Sequence, residues 1–345
     1  MITLDASVGE GGGQVLRTAT ALAAVLKEPC SIYNIRANRP NPGLREQHLQ
    51  GLLAVAKLCN GSVKNSFVGS KEIEFYPGDS FEKRVEVNIS TAGSVTLVLQ
   101  SLMIAASPAR ENVGIKISGG ATNTSWSPPV DYTKNVFFPL LGNMGYVADL
   151  EVKRRGFYPR GGAETACNLK PAKKLKNIRL EDRGDVKIIR GVSVCANLPG
   201  SVAERQRISA ENILRKAGYD TEIKEEVVNP DSTGSALVLW AECRNSVLGA
   251  DALGEIKKSA ENVGREAAEK MVAQLQEDFS LDPHASDQII PYIALAHGES
   301  SFTTSEITKH TLTNIGICEK LLGVKFSVGE NKISVVGAGR ADGNV

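Results

Sequence analysis

The sequence of 345 residues holds four histidines: His48, His284, His297 and His310. Imidazole is the side chain best matched to nucleophilic work on phosphorus near neutral pH. No two of the four stand at the i, i+4 spacing of a helical zinc site. A histidine taken singly is most often a satisfied or exposed side chain. His310 differs in its setting. It opens an apolar helix, HTLTNIGICEKLL, and is followed by Thr311, Thr313 and Asn314. A neutral ring there could attack phosphorus, and its phosphoramidate product would stay reactive enough to pass the group on. The N–H groups of a helix start could face the phosphate oxygens.

Two turns could receive an anion. Gly9 to Gly13 lies between a short strand and a helix, so consecutive backbone N–H groups can point at a phosphate. A glycine run alone reads first as a tight turn with close packing. Glu10 inside the turn and Arg17 one helical turn further on add a carboxylate and a guanidinium. The loop RANRPNPGLREQH crowds Arg36, Arg39 and Arg45 around a proline-stiffened turn. It reads equally as a second anion site or as a solvated basic loop.

Several nucleotide signatures are missing. There is no GxxxxGK[ST], so a P-loop is excluded. GEGGGQ puts Gln14 where a dinucleotide fingerprint needs its third glycine. No K-x-D-G occurs, so lysine in that setting does not carry a nucleotide. Only His284 with Ser286 matches H-x-[ST], one copy where a two-histidine phosphoesterase needs two. The six cysteines include no CxxC, which leaves reduced, mostly buried thiols.

The elements that must carry these residues read as mixed α/β. Strand ITLDA leads into helix QVLRTATALAAVLK; strand SIYNIRA leads through the arginine loop into helix LREQHLQGLLAVAKLC. Short strands fill Ser62 to Ile89, and a small-residue turn, STAGS, opens a helix through Ala106. Strand GIKISGG, loop ATNTSWSPP and a helix from Tyr132 to Leu141 follow. The recurring order suggests repeated units of a small sheet with helices. Charge density rises after Leu180, and Asp185 to Phe279 reads strand, helix, strand, strand, helix. That predicts a small inserted α/β domain at 185–279 within a main domain of 1–184 and 280–345. The first texture returns at Asp287, with a short helix, a strand at Ser301, another helix and two closing strands. The tail ADGNV is expected to fray.

Bulk properties fit an ordinary globular chain: 42% hydrophobic, 23% charged, net charge +1. Near-neutrality argues against a broad non-specific nucleic-acid surface and allows a local basic groove. No apolar run approaches the roughly 20 residues of a membrane helix. The N-terminus has neither a basic start nor an apolar signal core. A cytoplasmic enzyme without a membrane partner is therefore expected.

Six motifs, in order, resemble the RNA 3′-terminal phosphate cyclases: GEGGGQVLRTATAL, RANRPNPGLREQH, STAGSVTLVLQ, RRGFYPRGG, SDQIIPYIALA and KHTLTNI. The resemblance implies repeated units of a small sheet with two helices, plus a small inserted domain. It implies a ligase-class activity that uses ATP to adenylate a histidine, transfers AMP to an RNA 3′-phosphate, and closes a 2′,3′-cyclic phosphate. His310 would be the nucleophile. Glu10, Gln14 and Arg17 would lie beside the phosphates, with Glu10 a candidate metal ligand. Arg39 and Gln47 would join Gln14 and Arg17 in holding the RNA terminal phosphate. Gln100, Pro128 and the stretch His284, Ala285, Ser286, Asp287 and Gln288 would line the ATP site. Asp287 would orient either a metal or the imidazole. A divalent cation, Mg2+ or Mn2+, is expected with the triphosphate. His284 stands where relatives are expected to carry an aromatic such as tyrosine, and its ring would stack on adenine more weakly.

The family also has a non-catalytic branch that works in ribosome assembly and lacks the nucleophilic histidine; His310 is present here. The sheet-and-helix repeat looks like the enolpyruvyl transferases too, which is an analogy of fold and carries no function.

Overall fold

Three stretches of the chain run through the same succession of elements. The computed structural model describes residues 1–9 and 12–341. The first unit comprises β1 (Ile2–Asp5), α1 (Gln14–Leu26), β2 (Cys30–Tyr33), α2 (Glu46–Leu58), β3 (Ser62–Lys64) and β4 (Ile73–Tyr76). Its strands lie in the order β1-β2-β4-β3, with β1 parallel to β2 and the remaining pairs antiparallel. The second comprises β5 (Arg84–Ser94), α3 (Val95–Ala105), β6 (Val113–Ala121), α4 (Val130–Tyr132), a π-helical turn (Thr133–Phe137), α5 (Phe138–Asn143), β7 (Val147–Arg154) and β8 (Glu164–Lys170). Its order, β5-β6-β8-β7, repeats the same parallel and antiparallel pattern.

The third unit starts with β9 (Arg179–Leu180) and is interrupted there. The chain leaves through β10 (Val186–Ala196), α6 (Ser201–Lys216), β11 (Thr221–Val228), β12 (Gly234–Cys243), β13 (Val247–Leu253) and α7 (Ala260–Leu275). It returns as α8 (Pro283–Leu295), β14 (His297–Thr303), α9 (Lys309–Leu322), β15 (Phe326–Val328) and β16 (Lys332–Ala338). The resulting sheet, β15-β16-β14-β9, again pairs one parallel couple with two antiparallel ones. This is the repeated small sheet with helices that the sequence suggests.

Burial follows from the patterning. Leu16, Leu22, Val98, Leu102, Ile289 and Ile315 share one cluster that runs through all three units. The interrupting segment has a second cluster, with Ile189, Leu214, Leu239, Val263 and Met271. Alternation along β12 sends Leu237, Leu239 and Ala241 to that cluster, while Val238 joins the main one and Trp240 packs against it. The β11-β10-β12-β13 sheet is thus covered on both faces, which makes β12 a nearly continuous apolar run.

Four boundaries differ from the sequence reading. Thr91 to Ser94 prolong β5, with a register shift between Ile89 and Ser94 where a turn is expected. The helix expected from Tyr132 to Leu141 contains a π-helical turn just before Pro139, whose ring cannot take an ordinary helical hydrogen bond. The interrupting segment has a further strand, β13, whose VLGADAL is too rich in small residues to announce itself. Helix α8 begins at Pro283 rather than Asp287, capped by Asp282. Of the tail, Gly343, Asn344 and Val345 with Asp342 lie outside the described residues.

All six cysteines are free and buried. Burial pushes the Cys30 and Cys167 thiols up to about 12, so neither is a ready nucleophile. Among the described residues no helix is long and apolar enough to cross a membrane.

Candidate active site

His310 is the second residue of α9 and stands half-buried against the start of α1. Thr308 caps its helix, its Oγ1 accepting from Thr311 N at 3.1 Å. Gln14, the first residue of α1, donates from Nε2 to the His310 carbonyl at 3.2 Å. A carbonyl can only accept, so this bond fixes which end of the amide is which. Gln14 Oε1 then faces His310 Nδ1. An amide oxygen can only accept as well, so Nδ1 carries a proton; in the neutral form of the ring the lone pair is then on Nε2.

The seam between α1 and α9 is fastened below the ring. Thr18 Oγ1 donates to Asn314 Oδ1 at 2.8 Å, and Asn314 Nδ2 donates to the Asp287 carbonyl at 2.8 Å. These bonds hold α1, α8 and α9 in one arrangement. Gly9 has a φ of +72°, and a Cβ there would fall 2.2 Å from Thr313 Oγ1. The glycine turn therefore packs on the helix that carries His310. Glu10, expected beside the phosphates, lies outside the described residues.

A cleft of about 650 Å³ opens in front of His310, lined by Gln14, Arg17, Arg39, Gln47, Gln100, Pro128, His284, Asp287 and Gln288. Of the anticipated residues, Ala285 and Ser286 are fully buried on the other side of α8 and do not line it. Gln47 Oε1 accepts from Ser94 N at 2.8 Å, which turns its NH2 group into the donor end. Arg36 donates to the carbonyls of Asn41 and Gly43 at 2.6 and 3.0 Å, so it braces the arginine loop as well as lining the cleft.

His48 also lines this basic wall, although the sequence reading passed over it. Its Nδ1 accepts from Arg45 N at 3.3 Å, which leaves Nε2 as a neutral donor. Burial, reinforced by Arg17, Arg36 and Arg45, pushes its pKa down to about 3. Gly13 lets the ring approach, since a Cβ there would sit 2.2 Å from His48 Nε2 and 3.0 Å from Arg17 Nη1. The available signal was its place directly after Gln47 in LREQH.

The opposite wall is built around Asp282. Its carboxylate accepts from His284 N and Ala285 N at 2.9 and 3.0 Å, from Tyr132 Oη at 2.6 Å and from Gly249 N at 2.9 Å. One buried side chain thus caps α8 and ties it to α4 and β13. The His284 ring meets Tyr132 edge-on at 6.0 Å. Thr96 Oγ1 donates to the Pro128 carbonyl at 2.7 Å and anchors the loop beyond β6. Asp251, Leu253 and Lys270 complete the wall from the interrupting segment. Burial raises the pKa of Asp251, opposed first by His284 and then by Lys270. No local sequence signal marks these three, because only the fold brings them here.

Among the described residues no group of three or more His, Cys, Asp or Glu could hold a metal ion. Asp251 and Asp287 are the carboxylates that line the cleft.

The arrangement sets the His310 imidazole between a basic wall and a pocket lined by Pro128 and His284. A model of the family described as RNA 3'-terminal phosphate cyclase matches residues 8–328. The chain belongs to that family. The Pyrococcus furiosus RNA 3'-terminal phosphate cyclase is 46% identical over 328 residues, covering 95% of each chain. That of Archaeoglobus fulgidus is 45% identical over 335 residues, covering 97% of this chain and all of its own. That of Methanopyrus kandleri is 46% identical, covering 95% of each. Among solved structures, the enolpyruvyl transferase NikO from Streptomyces tendae aligns with 99% of this cyclase-family chain and 49% of its own, at a TM-score of 0.43 and 10% identity. A likeness at that score bears on neither fold nor function.

Proposed function

We propose that this cyclase-family protein converts an RNA 3′-terminal phosphate into a 2′,3′-cyclic phosphodiester, using ATP through a histidine–AMP intermediate. The observation that carries the reading is the Gln14–His310 pair, which selects the neutral tautomer whose lone pair is on Nε2. In the first step Nε2 attacks the α-phosphorus of ATP, a P–N bond forms and pyrophosphate leaves. In the second, an oxygen of the RNA 3′-phosphate attacks the AMP phosphorus and the imidazole leaves. In the third, the neighbouring 2′-oxygen attacks the 3′-phosphorus, loses its proton, and AMP departs. A phosphate monoester has no good leaving group, and the attached AMP supplies one.

Arg17, Arg39, Gln47 and the neutral His48 donor suit the terminal phosphate, each offering N–H groups from one wall. Pro128, His284, Gln100 and Gln288 suit the adenosine. A divalent cation, Mg2+ or Mn2+, held with help from Glu10 or Asp287, would neutralise triphosphate charge. The reading places the reaction in the cytoplasm.

The deciding experiment is incubation with ATP labelled at the α-phosphate. The protein should retain label that is acid-labile and base-stable, and His310→Ala should retain none. Label persisting on that variant would mean that another residue is the nucleophile.

A further inference from the structure

Trp126 stands at the rim of the cleft, 96% exposed, and its backbone has a φ of +66°. Both features run against ordinary packing. A bulky residue in the left-handed region is uncommon and strained, and a bare indole leaves a large apolar face in water. The loop that carries it is bonded at both ends. Val130 N closes the loop on the Thr122 carbonyl at 3.0 Å, and Thr122 N donates to Gly156 at 2.9 Å. Ser127 Oγ donates to Thr124, and Thr96 holds the Pro128 carbonyl. Just beyond, Asp131 takes two bonds from the buried Arg155, at 2.6 and 3.0 Å. A clamped loop thus holds out an aromatic ring in a conformation that the residue does not favour by itself.

We propose that Trp126 is a stacking platform for the base of the RNA 3′-terminal region as the strand leaves the cleft; the proposal rests on the RNA-end reading above. The cleft must hold two nucleobases, the adenine of ATP and a base of the RNA. ATP is small enough to lie wholly inside, against Pro128 and His284. The RNA is a polymer, and its chain has to cross the rim to reach solvent. An almost fully exposed indole is placed for the strand rather than for the enclosed nucleotide. Stacking also suits an enzyme that meets ends of differing sequence, because every base has a π-face. A net charge of +1 gives the chain little overall electrostatic pull on a polyanion, which leaves more of the hold on the strand to stacking.

The test compares the unchanged protein with Trp126→Ala and Trp126→Phe, using a short 3′-phosphorylated oligoribonucleotide. Removing one base–aromatic stack should raise KM for the oligonucleotide about 5- to 150-fold in the alanine variant. Turnover at saturating oligonucleotide should fall far less, and phenylalanine should restore most of the affinity. Tryptophan fluorescence should be quenched by the oligonucleotide in the unchanged protein and not in the phenylalanine variant. An unchanged KM in the alanine variant overturns the proposal. So does a rise in the ATP concentration needed for half-maximal self-labelling, which would make adenine the occupant. Failure of the underlying reading looks different: the unchanged protein would then take no AMP and close no cyclic phosphate.

Discussion

Gln14 and His310 hold each other twice: the amide NH2 donates to the histidine carbonyl, and the amide oxygen faces Nδ1. The double contact sets the ring's rotation and its tautomer together. Gln14→Ala should therefore leave a folded protein whose imidazole is free to turn and to exchange tautomers. The rate of AMP labelling should drop by about 10²-fold, the scale on which small misplacements act. Single-turnover labelling measures it, and an undiminished rate would remove Gln14 from the mechanism.

Arg17 and Arg39 share one wall of the cleft with Gln47 and His48. Losing a charge-assisted hydrogen bond to a phosphate costs roughly 1.5–3 kcal/mol, or about 10- to 150-fold. Arg39→Ala should weaken cyclisation of a 3′-phosphorylated oligonucleotide by that order, chiefly through KM. Arg17→Ala should reduce cyclisation too. Unchanged cyclisation in both variants would refute the anion wall.

The buried His48 makes stability depend on pH. Its folded pKa of about 3 lies below the ordinary value near 6.5, so the unfolded chain binds the extra proton first. Its contribution is whole above about pH 6.5 and is lost as pH falls towards 3, at up to about 1.4 kcal/mol per pH unit. Urea unfolding across that window should show a shallower fall in His48→Gln than in the unchanged protein. Parallel curves would mean that the ring is not held neutral.

We propose that residues 185–279 form an inserted domain within a main domain of 1–184 and 280–345. The isolated segment, with its own cluster around Leu239 and Met271, should fold, which circular dichroism and dispersed amide resonances would report. The excised remainder should be less stable. It would lose Glu226 from the buried Arg155 and Gly249 from the Asp282 carboxylate. An isolated segment without structure would move the boundaries.

How much could be read beforehand follows from where each signal resides. His310, Arg17 and Arg39 stand beside turns and helix starts, whose chemistry is local and visible in a few consecutive residues. The repeat of sheet and helices shows because periodicity is local too. Asp282 was missed, though it organises one wall, because two of its four partners, Tyr132 and Gly249, come from elements distant in sequence. Asp251 and Lys270 reach the cleft only through packing of an entire sheet. Ala285 and Ser286 share a motif with Asp287, but helical periodicity turns them inward. Trp126 was in plain view in ATNTSWSPP, yet its exposure and left-handed backbone exist only in the folded chain.

The separation of 296 residues between the members of the central pair governs synthesis as well. A nascent chain still anchored to the ribosome can complete its first two sheets while the His310 imidazole is not yet translated. Until the closing helix emerges and finds the opening one, a truncated product lacks the proposed nucleophile. Premature termination anywhere upstream of His310 should leave inert protein rather than a partly active enzyme.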